Sequence, residues 1–522
     1  MQDNFIEAMQ NMAKIMDPNV SVTENGALGY KTTGNALLDL NFKLSSMRNW
    51  DENKIWTEFL TAYNENPVLA VVWLFQARDC REGLGERRTF RVIIQRLASE
   101  NPDLVIKLLP LIPEYGRWDD VVEIFCGDVP CKVRDAALEL IAKQLHEDAG
   151  NAMSGEPVSL VAKWLPSLAT SSKDTRRKAE QIRTALGVTP KQYRKVLSSL
   201  RSYLKIVEQK ISANQWQDVN YESVPSKAGM LYRDAFCRHD GDRYNQYLED
   251  VRSGKANMNA DVLFPYEIVH AYKGDWNDTL KPYDETLELK WKNLPNGVEN
   301  DRGTLVVVDG SGSMSTQIGG TKLTCHDVAR SLGIYFAERL TGPFKNSFIT
   351  FSDRPKVVRF NGVESLRNKL EILIREDDCS NTDIEKTFDL ILRTAVENHM
   401  KQEEMPANVL IISDMEFDQI SGHYNWETGK WSADIDTRLF DAIAKKFEDF
   451  GYKLPRLVFW NVCSRTGTIP VKENDLGVAL VSGFSQNIAD MVLSGELDPW
   501  KLLVDKLHSE RYRPVWEVVM PS

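Results

Sequence analysis

The rhythm of apolar residues changes near residue 300, and no single layer architecture suits both sides of that change. From Thr304 onward six short runs rich in Val, Ile and Phe recur: TLVVV (304–308), SFITF (347–351), KVVRF (356–360), NVLIIS (408–413), LPRLVFW (454–460) and VALVS (478–482). Amphipathic segments around 322–340, 363–375, 383–399, 435–450 and 486–494 separate them. Alternating strands and helices, with strands apolar on both faces, predict a parallel sheet covered on both sides. The expected fold is an α/β, doubly wound, Rossmann-like domain, whose ligands sit at the carboxyl ends of the strands.

Before residue 290 the chain reads as helix after helix. Asn66-Pro67 opens VLAVVWLFQARDCREGL, Pro102 opens DLVIKLLPLI, Asp120 precedes VVEIF, and Pro130 precedes CKVRDAALELIAKQLHEDA. Each segment carries apolar residues at three- and four-residue spacing behind a Pro, Asp or Asn. Short tandem helices predict an all-α, HEAT-like solenoid or ring, on cadence alone, because no fixed-period repeat is present. The expected division is a helical domain over 1–295, a linker at 296–303 and an α/β domain over 304–498. Residues 499–522 then form one short helix and an extended YRPVWEVV that packs back.

Charge and cysteine usage narrow the functional classes. The 522 residues carry a formal net charge of −11, which argues against nucleic-acid binding by the whole surface, DNA above all, while leaving room for a local patch. No apolar run is long enough to span a bilayer, and MQDNFIEAMQNMAK lacks the basic-then-apolar order of a signal peptide. Cys80, Cys126, Cys131, Cys237, Cys325, Cys379 and Cys463 are odd in number and scattered, with no C-x-x-C. They read as reduced thiols of a cytoplasmic protein away from membranes.

The sharpest motif follows the first strand: Asp309-Gly310-Ser311-Gly312-Ser313. An Asp and two hydroxyls at alternate positions on a glycine-rich loop can turn toward one point, and hard, mostly neutral oxygen donors suit Mg²⁺ (or Mn²⁺/Ca²⁺). Thr382 in SNTD and Asp414 at the end of IISD stand where neighbouring loops would add further oxygens. Together these residues resemble the metal-ion-dependent adhesion site of von Willebrand factor A (VWA) domains. The resemblance implies that Ser311, Ser313 and Thr382 coordinate the ion directly and that Asp309 and Asp414 act directly or through water. It also implies an open metal position for a partner protein's carboxylate. A nucleophile elbow is excluded because Asp309 and Ser313 occupy the glycine positions around Ser311, and no Walker-type GxxxxGK[ST] occurs. The pairs His239-Asp240 and His326-Asp327 lack the further ligands of a metal phosphohydrolase.

The helical half has a resemblance of its own. RDCREGLGERR (78–88), IPEYGRWDDVV (112–122), VPSKAGMLYRDAFCRHDGDRYNQYLEDVRSGK (224–255) and PYEIVHAY (265–272) resemble the TROVE module. The match is closest to an uncharacterised TROVE-like family in which such a module precedes a VWA domain, the layout of the Ro ribonucleoprotein family. The resemblance implies a ring that binds small noncoding RNA on its outside and single-stranded RNA ends in its hole. A local feature bears on that. Residues 163–210 hold twelve Lys and Arg against three acids. Helical spacing places Lys173, Arg176, Arg177 and Arg183 on one face, and Lys191, Arg194, Lys195, Arg201 and Lys205 along the next stripe, opposite Tyr193, Val196, Leu197, Leu200 and Leu204. Such faces grip a phosphate backbone by releasing its counterions, although charge at helical spacing also serves plain solvation. Arg78, Asp79, Arg81, Glu86, Arg87 and Arg88 suggest an interhelix ion network. The insert 416–434 after Asp414 reads as an exposed loop, with Trp426 and Trp431 as partner contacts.

The expected function is a non-enzymatic, RNA-binding scaffold, a Ro-like ribonucleoprotein with a Mg²⁺-dependent VWA protein-interaction site. The alternatives are a protein–protein assembly factor without RNA and, third, a metal-dependent hydrolase, for which His423 is the one histidine placed near the metal.

Overall fold

A computed structural model describes residues 19–274, 279–298, 303–351, 354–376, 383–418, 423–425, 430–432, 439–470, 478–486 and 498–520. A helix-rich region is followed by an α/β domain. The chain forms two compact units: Met1–Asp51 with Phe264–Asp284 and Pro295–Lys506, and Glu52–Leu263 with Glu285–Leu294 and Leu507–Ser522. The grouping differs from a single boundary at residue 295, because the described residues 19–51 and the segment Phe264–Asp284 belong to the α/β unit, and the chain after Lys506 belongs to the helical one.

In the α/β unit a short antiparallel pair, β1 (Val20–Val22) and β2 (Leu28–Tyr30), precedes the main strands. Those strands are β3 (Thr304–Asp309), β4 (Ser347–Phe351), β5 (Lys356–Arg359) and β6 (Asn408–Ser413). A small antiparallel hairpin of β7 (His423–Asn425) and β8 (Lys430–Ser432) leads to β9 (Arg456–Asn461) and β10 (Val478–Ser482). All six apolar runs are strands of one sheet, in the order β10-β9-β6-β3-β4-β5. The sheet is mixed and not purely parallel, since β5 runs antiparallel to β4. Only four residues separate those two strands, enough for a tight connection and far too few for a parallel crossover.

Every residue of β3, β6 and β9 is buried, so both faces are covered. On one face Leu305, Val307, Ile411 and Phe459 pack with Phe388 and Phe440 of the helices Ile384–Glu397 and Leu439–Asp449. Helix Cys325–Arg339 covers the other face, and a Cβ on its Gly333 would stand 2.5 Å from Val308 Cγ2. The N-terminal segment is tied in by hydrogen bonds: Tyr30 and Ile469 exchange backbone bonds of 2.8 Å, Asn461 Nδ2 donates to the Phe42 carbonyl, and the Ser45 amide donates to Ser482 Oγ.

The helical unit is built around Pro67–Arg78, a helix buried on all sides from Leu69 onward. Asn66 caps it by accepting the Leu69 amide, and Asn101 caps Pro102–Leu108 through the Leu104 amide. A second core gathers Trp216, Tyr221, Phe236 and Tyr244 around helix Ser226–Arg252, which bends at Asp240. Segment YRPVWEVV is helical, not extended: Arg513–Val519 forms a helix with Pro514 in its first turn. Its valines read as strand, but proline with fixed φ opens a helix equally well. Tyr512, just before it, stacks on Tyr115.

Of the residues expected to form an ion network, Arg78 and Asp79 do so with partners the sequence reading did not name. Arg78 and Arg91 both pair with the fully buried Asp120, and Asp79 accepts two hydrogen bonds from Arg511. Gly116 lies so close that a Cβ would sit 2.5 Å from Asp120 Oδ2.

Candidate functional site

The loop after β3 and the turn after β6 meet at the carboxyl ends of two adjacent parallel strands. Asp309, the last residue of β3, is buried; its Oδ1 accepts the Ser311 amide at 2.9 Å. The Ser311 and Ser313 hydroxyls are 2.9 Å apart, and the Asp414 carboxylate accepts a hydrogen bond from Ser313. Asp309, Ser311, Ser313 and Asp414 are thus brought together as their spacing suggests. Thr382 lies outside the described residues.

Ser413 was not singled out by sequence reasoning, yet it ties the two strands. Its hydroxyl donates to Asp309 Oδ2 at 2.6 Å and accepts the Met415 amide at 2.9 Å. Met415, next after Asp414, takes a left-handed backbone, φ 63°, a costly conformation for a non-glycine residue.

The electrostatics are those of an under-compensated site. Burial and then the neighbouring Asp414 push the Asp309 carboxyl up to about 7. Burial likewise raises Asp414 to about 6, against the opposing pull of Arg465. Arg465 reaches Asp414 Oδ2 only at 3.4 Å and is held more tightly by Glu24, at 2.6 Å. Two buried carboxylates and two hydroxyls form a hard-oxygen set, and the unneutralised charge fits a small divalent cation. Among the described residues no three His, Cys, Asp or Glu side chains gather at one point, so the hydroxyls are essential to that set.

Glu416 departs from the expected exposed insert. It is fully buried, and its carboxylate accepts the Glu24, Arg465 and Thr466 amides and the Ser464 hydroxyl. Phe417 packs on Phe440 and Phe459. Trp431 lies in β8 opposite Tyr424, and Trp426 is outside the described residues. Close by, a hydrogen bond with Cys463 and then burial push the Cys325 thiol up; both cysteines are free.

The basic region forms two consecutive helices, Lys173–Ala185 and Pro190–Tyr203, the second opened by the reciprocal cap of Thr189 and Gln192. Lys173, Lys191, Arg194 and Lys195 are exposed, without an acidic partner among the described residues. Arg176 is exposed and donates to the Thr170 carbonyl, while Arg177 pairs with Asp174. Two members depart from the expected stripe. Arg201 folds inward, donating to the carbonyls of Ala162 and Leu165 and to Ser167 Oγ, where it closes the end of helix Val161–Trp164. Arg183 is engaged by Glu180 and by the Val188 carbonyl. Val196, placed with the core by spacing, is exposed, and Tyr193, Leu197 and Leu200 make the buried face. Lys205 follows the second helix and borders a cleft.

His239 and Asp240 are engaged by neighbouring side chains. His239 stacks on Trp216 at 4.4 Å, and Asp240 accepts from Tyr221 and Arg243. Trp291 is buried, and Trp164 lies under the Arg117 guanidinium. No described helix is long and apolar enough to cross a membrane.

Residues 303–509 match a family described as a domain of unknown function (DUF7788), and residues 169–305 match a second, DUF2828. The first match encloses the Asp309–Asp414 site and the second encloses the basic helices. Over 535 aligned residues the chain is 29% identical to the uncharacterized protein L728 of Acanthamoeba polyphaga mimivirus, covering 95% of this chain and 89% of the relative, so the likeness spans both units.

Proposed function

We propose that this chain is a cytoplasmic scaffold that binds RNA through its helical unit and docks a protein partner through a divalent cation in its α/β unit. This is the plan of a Ro-like ribonucleoprotein, with a TROVE-type, HEAT-like helical ring and a VWA domain. The observation that carries the reading is the convergence of Asp309, Ser311, Ser313 and Asp414 between β3 and β6. The strand order β10-β9-β6-β3-β4-β5 supports a doubly wound reading, in which β3 and β6 would flank the switch point where such folds hold their ligands. Mg²⁺ there would be held by those four residues, with Thr382 as the fifth that the resemblance implies. When bound, the ion supplies an electropositive point for a partner's carboxylate.

For RNA, the support is a row of exposed cations on successive helices of an otherwise acidic chain. The test is to purify the protein without nuclease, measure its ultraviolet absorbance ratio and sequence the nucleic acid it retains. Alongside it runs a variant with Arg176, Arg177, Arg194 and Lys195 changed to Glu. RNA held by the native chain and lost by the variant is the expected result. A native chain free of RNA would sink the ribonucleoprotein reading and leave a protein-assembly scaffold.

A further inference from the structure

Three features of the helical unit meet at one place. A cleft of about 120 Å³ opens beyond helix Pro190–Tyr203, walled by Leu204, Val219 and Val224 and edged by Lys163, Lys205 and Glu208. It is smaller than a drug-sized pocket and matches one flat ring system.

Lys205 is held in a left-handed conformation, φ 51°, by the helix-closing bonds from its own amide to the Ser202 carbonyl and from the Ile206 amide to Arg201. Helix Cys131–Ser154 is followed by Gly155 at φ 79°, and helix Lys173–Ala185 is followed shortly by Gly187 at φ 68°. At the third such helix end the chain carries a lysine where glycine is the unstrained choice, and strain of this kind points to a use for the side chain. Neither Lys163 nor Lys205 has an acidic partner among the described residues.

The third feature is Glu208, whose Oε2 is buried and has no hydrogen-bond partner among the described residues. A buried carboxylate oxygen left unpaired is costly and calls for a donor from outside.

From cations at the edge, apolar walls and an unmet acceptor, we infer that this cleft takes one nucleotide unit. Its phosphate lies on Lys163 and Lys205, its ring lies between Leu204 and Val224, and an exocyclic amine of the base donates to Glu208. Cytosine offers such an amine; uracil does not, and its N3–H is flanked by carbonyl oxygens that a carboxylate repels. The inference deepens the RNA reading and rests on it for the source of the nucleotide, which is an unstacked residue of a strand lying on the basic helices. A free mononucleotide has the same chemistry.

The full-length chain is titrated with fluorescent oligocytidylate and oligouridylate, and separately with CMP and UMP by calorimetry. The native chain, Lys205→Gly and Glu208→Ala are compared. Lys205→Gly removes the backbone strain, so its Tm should rise while its affinity for oligocytidylate falls about tenfold. Glu208→Ala should abolish the preference for C over U and keep the native Tm or better. CMP bound without oligonucleotide affinity would keep the cleft and remove the RNA reading. Oligonucleotide bound equally by all three proteins, with no C over U preference, would overturn the cleft and leave the RNA reading standing. Binding of neither probe overturns both.

Discussion

Two pairs of buried aspartates, Asp79 and Asp120 in the helical unit and Asp309 and Asp414 in the α/β unit, are treated in opposite ways. In the helical unit Asp120 meets two guanidiniums and the Arg117 amide, and Asp79 meets Arg511, the Arg81 amide and the Tyr512 hydroxyl. In the α/β unit Asp309 and Asp414 face each other across hydroxyls, with one distant and shared guanidinium. A fully answered buried charge is architecture. Removing its partner strands the other ion, whereas a buried charge left unanswered is destabilising until something binds. The contrast separates the frame of this protein from its site.

The largest effect should come from breaking the frame. Asp120→Ala leaves Arg78 buried and unpaired and should lower the unfolding free energy by about 3–5 kcal/mol in urea denaturation. Asp309→Asn removes an uncompensated charge and should be near neutral or stabilising in the absence of divalent ions. Equal losses in the two variants would break the comparison. Next, Mg²⁺ at roughly a hundred times its Kd should stabilise the native protein by about 2.7 kcal/mol. A thermal-shift titration reads that gain, which should vanish in Asp309→Asn and in Asp414→Asn. A cation-induced shift that persists in both would place the ion elsewhere.

Lys290 sharpens the contrast from within the helical unit. Its ammonium is buried with the Asn259 carbonyl as acceptor, and burial lowers its pKa from 10.5 to about 8. Between those values the unfolded chain carries a proton that the folded chain lacks, so stability should rise with pH from about 8 to about 10.5. Below about 8 the penalty is present in full. Lys290→Met should therefore stabilise by about 1–3 kcal/mol at pH 7, with the gain fading as pH rises through that window. A gain that stays constant to pH 10 would rule out charge burial as its cause.

The smallest stability effects divide the basic helices. Arg201→Ala should cost about 1–2 kcal/mol and leave RNA affinity nearly intact, because its guanidinium serves the neighbouring carbonyls. Lys195→Ala should change stability by less than about 0.5 kcal/mol while lowering RNA affinity and the salt slope by about one. The reverse pattern would reassign the two side chains.

Much of this is legible in the sequence. Strands β3, β6 and β9 stand out because a strand covered on both faces is apolar along most of its length, edge strand β5 shows through its paired valines alone, and the Asp309–Ser313 loop stands out because glycine and hydroxyl alternation is unusual. Ser413 was hidden inside the apolar run NVLIIS, where one serine looks like a tolerated core residue. Arg201 was misplaced because helical spacing gives the side of a helix a residue occupies and says nothing of which carbonyls wait there. The burial of Glu416 is hidden in the sequence because its partners, Glu24 and the 464–466 turn, are distant along the chain. The same reason hid the attachment of β1 and β2, three-residue strands too short to register as a pattern.

That attachment has a consequence for how the molecule is made. Ser21 hydrogen-bonds Thr468, 447 residues downstream. At roughly 5–20 residues per second, the ribosome needs about 20–90 s to supply that partner. Throughout that interval the chain's leading end waits unpaired while the helical region emerges and folds behind it. Closing the α/β unit is therefore among the last events of biosynthesis. A nascent chain arrested before residue 460 would carry a helical region still lacking Arg511 and Tyr512, a β1–β2 pair without its Thr468 and Ile469 partners, and no Arg465 beside Asp414.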